Sequence, residues 1–111
     1  MNKRYLEIKK LIQENRPDVE IAEAMSNYHE NDIAELLENL SQPERKRIYH
    51  VLGLAKTANV FPYFDDPQQY IEELSVEDAA AIVSLMDSDD AVDILEQLDP
   101  ETKTRIVEKL R

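Results

Sequence analysis

The chain has 111 residues, with 24 acids against 13 bases and a formal net charge of −11. Its single glycine (Gly53) excludes phosphate-cradling loops, dinucleotide fingerprints and tight β-hairpins, all of which need glycine at φ > 0 or at a close ligand approach. Zero cysteine removes disulfide frameworks and thiolate chemistry and fits a reducing cytosol, and the acidic balance disfavours nucleic acid and anionic membranes as partners.

In chain order, two amphipathic stretches come first. Lys3 to about Glu14 carries Tyr5, Leu6, Ile8, Leu11 and Ile12 at helical spacing, and Asp18 to Met25, after Pro17, carries Val19, Ile21, Ala22 and Met25. The start, Met1-Asn2-Lys3-Arg4, lacks the apolar core of a secretory signal. The longest apolar run, Ala79 to Val83, is far short of the ~20 residues that span a bilayer, so no direct membrane insertion is expected.

From His29 to Leu110 the chain repeats with a period near twelve residues. Units open at His29, Ser41, Gly53, Asp65 (two residues short), Ser75, Asp87 and Asp99. Each full-length unit places aliphatic or aromatic residues at positions 8 and 9 and closes on an apolar residue at position 12, as in Leu36, Leu37 and Leu40; the short unit closes on Leu74. With position 5 these form one inward stripe, so each unit reads as a short helix. Ser41, Ser75, Asp87 and Asp99 are the expected N-caps, and Ser41 with Glu44 has capping-box spacing. Pro43, Pro67 and Pro100 fall in first turns, where a missing N–H costs little. Helices this short are marginal alone and must stack on their neighbours. The expected fold is therefore all-α: a right-handed superhelical solenoid of about nine short helices in one domain over residues 1–111, with residues 1–27 preceding the repeats.

Catalysis finds little support. His29 opens a unit and His50 lies in mid-helix, with no His-x-x-x-His or Glu-x-x-His spacing. An enzyme is not expected.

The acids are distributed unevenly. Residues 65–101 hold 13 acids and no lysine or arginine, whereas the rest holds 11 acids and 13 bases. Asp87, Asp89, Asp90 and Asp93 lie within seven residues. Three readings stand side by side. Asp87, Asp89 and Asp90 suit a helix N-terminus, where the dipole favours negative charge. Asp93, four residues after Asp89 and past the first turn with no base nearby in sequence, suits a hard divalent cation. The whole face suits docking of a basic partner.

The ordered units also carry a resemblance. His29-Glu30-Asn31-Asp32-Ile33-Ala34-Glu35-Leu36-Leu37-Glu38-Asn39-Leu40 resembles the opening motif of the cytoplasmic N domain of MgtE-type magnesium transporters, and Ala55-Lys56-Thr57-Ala58-Asn59-Val60 and the later acidic units continue the likeness over about residues 25 to 111. It implies a superhelical domain followed by CBS domains and a transmembrane pore, in a homodimer, on the cytosolic side of the membrane. It further implies a Mg²⁺-sensing role, in which Mg²⁺ held between the N domain and the CBS domains closes the pore. The residues matching the family's acidic pattern are Asp89, Asp90 and Asp93, expected as metal ligands. Asn59, Glu77, Asp78 and Asp87 are expected on the docking face. Two positions depart from the family: Asn59 replaces a common glutamate, and Glu30 a common proline. The rival expectation is a stand-alone acidic interaction module, similar to the short-helix repeats of flagellar-motor switch proteins.

Overall fold

A computed structural model describes residues 2–111. It contains α1 (Lys3–Gln13), α2 (Asp18–Ala24), α3 (Glu30–Glu38), α4 (Gln42–Leu52), α5 (Leu54–Val60), a 3-10 turn (Phe61–Tyr63), α6 (Pro67–Ile71), α7 (Val76–Leu85), α8 (Ser88–Gln97) and α9 (Pro100–Leu110). No strand occurs among the described residues. The all-α expectation holds, and the nine α-helices among the described residues match the two leading stretches and seven units.

Local chemistry explains most boundaries. Ser41 and Glu44 close the capping box: Glu44 N–H donates to Ser41 Oγ at 3.4 Å, and Ser41 N–H to Glu44 Oε1 at 2.9 Å. Asp78 N–H donates to Ser75 Oγ at 3.1 Å, and Thr102 N–H to Asp99 Oδ1 at 2.8 Å. Asp87 differs. It occupies the N-cap position of α8 but makes no side-chain capping bond. The start of α8 lies at the surface, where water can serve its first N–H groups. The shortened unit at Asp65 yields only the five-residue α6. Gly53 ends α4 and starts α5 at once, with φ +80° and ψ 167°, a conformation essentially reserved for glycine.

Packing follows the repeat. α3, α5, α7 and α9 stack in succession, while α2 lies on α4 and α6 on α8, so a helix meets the next but one. The described chain measures 39 × 20 × 20 Å. The predicted stripe is the core. Ile33, Leu36, Leu37 and Leu40 of one unit are all buried, as are Val60, Phe61 and Phe64 of another and Ile94 and Leu98 of a third. Position 5 is not always apolar: Arg45 and Thr57 occupy it buried, and Lys103 occupies it exposed. The Thr57 hydroxyl donates to Gly53 O at 2.7 Å.

Arg45 has more to satisfy. Its Nε donates to Glu73 Oε2 at 2.9 Å and its Nη2 to Glu73 Oε1, while Nη1 donates to the carbonyls of Leu37 and Leu40 at the end of α3. Its guanidinium also lies 5.1 Å from the centre of the Tyr70 ring. One side chain therefore ties α3, α4, α6 and the segment entering α7 together. The Tyr49 hydroxyl nearby is buried without a hydrogen-bond partner, and burial pushes the phenol well above its usual range.

The first two helices attach through Tyr5, Ile8 and Ile21, all fully buried, and through Arg47 on α4. Arg47 Nε donates to Asp18 Oδ1 at 2.9 Å and Nη1 to Asn15 Oδ1 at 3.0 Å, fastening the α1–α2 corner.

Candidate functional site

One cleft gathers residues from three parts of the sequence. Glu30 from α3, Asn59 from α5, Pro62 and Tyr63 from the 3-10 turn, and Asp87 and Asp90 from the start of α8 line a space of about 430 Å³. The mount is rigid. Asn59 projects from α5 between Ala58 and Val60, both buried, and the turn bearing Tyr63 is anchored by Phe61 and Phe64. Phe61 packs edge-on against Phe64, with ring centres 4.9 Å apart. Tyr63 is 56 % exposed at the cleft's rim.

The electrostatics follow from helix direction. Glu30 is the first residue of α3, Asp87 is the N-cap of α8 and Asp90 its third residue, so two helix N-termini meet at the cleft. Their dipoles offset part of the repulsion between three carboxylates. Among the described residues no base pairs with Glu30, Asp87 or Asp90. The cleft thus presents three free carboxylates, an amide oxygen and an aromatic edge.

The expected site residues separate in space. Asp87, Asp90 and Asn59 come together here, whereas Asp89 and Asp93 are exposed and do not line this cleft. Asp78 lines a different cleft with Lys46, Tyr49 and His50. Glu77 lies 3.3 Å from Lys109 Nζ of α9. Its own backbone N–H and then Lys109 hold its carboxyl below the usual range. The acidic segment is thus partly neutralised by distant bases, with Arg45 serving Glu73 and Lys109 serving Glu77. Glu30, Pro62 and Tyr63 had not been foreseen as site residues. Glu30 had drawn notice only as a replaced proline.

A Mg²⁺ ion is the cofactor the likeness implies. Among the described residues no three His, Cys, Asp or Glu side chains come close enough to hold a metal by themselves. The donor set still suits Mg²⁺, which keeps several waters and takes one or two protein carboxylates. What these residues can offer is part of a coordination shell.

The histidines stay apart from this cleft. His50 Nε2 lies 3.1 Å from Asp18 Oδ2 at the surface, and His29 donates its backbone N–H to Asp32 Oδ2 at 3.1 Å. No helix among the described residues is long and apolar enough to cross a membrane.

Comparison with known proteins bears on the fold and the family. Curated proteins offer no match. A crystal structure of the soluble part of a magnesium transporter superposes with a TM-score of 0.88 at 20 % identity, over 98 % of this chain and 44 % of that one. At that identity the likeness concerns the fold, and the present chain spans less than half of its counterpart. The model of the MgtE intracellular N domain matches residues 28–111, from just before α3 to the end of α9. With the twelve-residue units, their buried stripe and three-quarters of the sequence inside that match, the chain belongs to the MgtE intracellular N domain family.

Proposed function

We propose that this domain senses Mg²⁺ for a magnesium transporter, and that the α3–α5–α8 cleft supplies one half of a cation site whose other half lies on a CBS domain of the same transporter chain. The observation that carries the reading is the convergence of Glu30, Asp87 and Asp90, unpaired, around Asn59 in one cleft. No set of three carboxylates forms a cage among the described residues, and a half-site needs none. Bound between two such surfaces, Mg²⁺ supplies positive charge and bridging waters.

The chain's own part is electrostatic. Bare, the three carboxylates repel acidic groups on the facing domain and favour an open arrangement. With their charge offset, that repulsion falls and the docked arrangement is favoured. The population shifts only by as much as the cation prefers the docked state. In this reading the domain works on the cytosolic side of a homodimeric transporter, closes the pore when the cell is replete, and does no catalysis.

The test is association in trans. This chain, mixed with the separately purified CBS pair of its transporter, is expected to bind in millimolar Mg²⁺ and to release when the metal is chelated. The Asp87→Asn/Asp90→Asn variant is expected to lose the Mg²⁺-dependent part. Binding of equal strength with and without Mg²⁺ would overturn the sensing role and leave a cation-independent interaction module.

A further inference from the structure

We infer that copies of this chain dock head to tail, with the exposed face of α1 on one copy lying along the exposed face of α8 on the next. Two matching stripes carry this. On α1, Leu6 is 50 % exposed, with exposed Lys3 three residues before it and exposed Lys10 four residues after it. On α8, Val92 is 52 % exposed, with exposed Asp89 three residues before it and exposed Glu96 four residues after it. At helical spacing each triplet falls on one face. Both stripes therefore read charge, apolar residue, charge, at the same intervals and with opposite sign. Asp93, exposed beside Val92, adds a further acid to the second stripe.

Neither stripe is used within the chain. Among the described residues Lys3, Lys10, Asp89, Asp93 and Glu96 enter no ion pair, whereas Arg4, Lys9 and Arg16 are matched with Asp32, Glu44 and Glu20. The inner faces are already committed. Tyr5 and Ile8 are buried where α1 packs on α2 and α4, and Ile94 is buried where α8 packs on α6. Fixed in this way, the two outer faces meet only when two copies do. The local charges favour that meeting. Glu7 is the only acid of α1 against four bases, while α8 holds four acids and no base. Pairing takes Leu6 and Val92 out of water together and gives Asp89 and Asp93, which do not line the α3–α5–α8 cleft, partners of opposite charge.

The contact joins two different surfaces, so it repeats from copy to copy instead of closing as a twofold dimer. One helix pair buries less than the roughly 1,200 Å² of a stable interface, so the association is weak and sensitive to salt.

Sedimentation equilibrium in dilute salt, with a chelator present, tests the docking independently of the cation reading. The mean mass of the wild-type chain is expected to rise above that of the monomer as its concentration approaches roughly 1 mM, the range of weak contacts. Lys3→Glu/Lys10→Glu and Asp89→Lys/Glu96→Lys each place like charges on both stripes and are expected to associate at least about tenfold more weakly. The second variant also brings the chain closer to neutrality, which would strengthen association if net charge alone decided. Mixed in equal amounts, the two variants are expected to regain the wild-type association, because every mixed junction again pairs opposite charges. Damage to either helix would give no such rescue. A wild-type chain that stays monomeric, variants that associate as strongly as wild type, or a mixture as weak as its components would each overturn the docking.

Discussion

Arg45→Ala is expected to destabilise the fold by about 3–5 kcal/mol, the range for removing one partner of a buried ion pair. Arg45 is only 7 % exposed, and the change strands Glu73 and uncaps the carbonyls of Leu37 and Leu40. For a domain of this size the loss corresponds to a fall in melting temperature of roughly 12–20 °C, readable by thermal denaturation. Replacing both partners, Arg45→Met with Glu73→Leu, is expected to recover most of the loss, because the cost lies in the uncompensated charge. A single-variant loss below about 1 kcal/mol would place Arg45 with ordinary surface pairs and contradict the cross-tie assigned to it.

Phe61→Ala is expected to cost about 3–5 kcal/mol by transfer and cavity terms together. Phe61 is fully buried, with Tyr49 6.1 Å and Phe64 4.9 Å away between ring centres, and Phe64 stacks in turn on Tyr70 at 4.2 Å. Two residues on, Tyr63→Ala removes an exposed ring from the same turn and is expected to stay within about 0.5 kcal/mol. Urea denaturation of the two variants separates the roles. Phe61 holds the turn in place, and Tyr63 presents a surface to the cleft. Equal losses would show that the turn is not anchored as described.

How much of this was legible before the structure depends on range. The repeat could be read because a stripe at positions 5, 8, 9 and 12 is a local signal, and Ser41, Ser75 and Asp99 cap within three residues of themselves. Where a distant partner decides, reading failed. Arg45 occupies an apolar position, and nothing near it in sequence announces Glu73, twenty-eight residues away. Asp87 has the right type and place for a cap, yet its carboxylate is not used as one.

The lining of the candidate cleft was only partly legible, for the same reason. A concentration of acids in residues 65–101 marked the region. Asp89 and Asp93 share a helical face by spacing, but spacing does not say whether that face meets another unit or water. The cleft is made by the meeting of the units opening at His29, Gly53 and Asp87, a register that the twelve-residue period leaves open. Glu30, the first residue of its helix, comes to line the cleft only when α3 and α8 bring their N-termini to one place.

Whether divalent cations enter at this cleft is read from a residue-resolved Mg²⁺ titration of the chain. Amide shifts are expected to concentrate at Glu30, Asn59 and Asp87 to Asp90, to saturate in the millimolar range and to be abolished by Asp87→Asn/Asp90→Asn. Small, unsaturating shifts spread evenly over the acids of residues 65–101, unchanged in that variant, would show charge screening alone and contradict the cation reading.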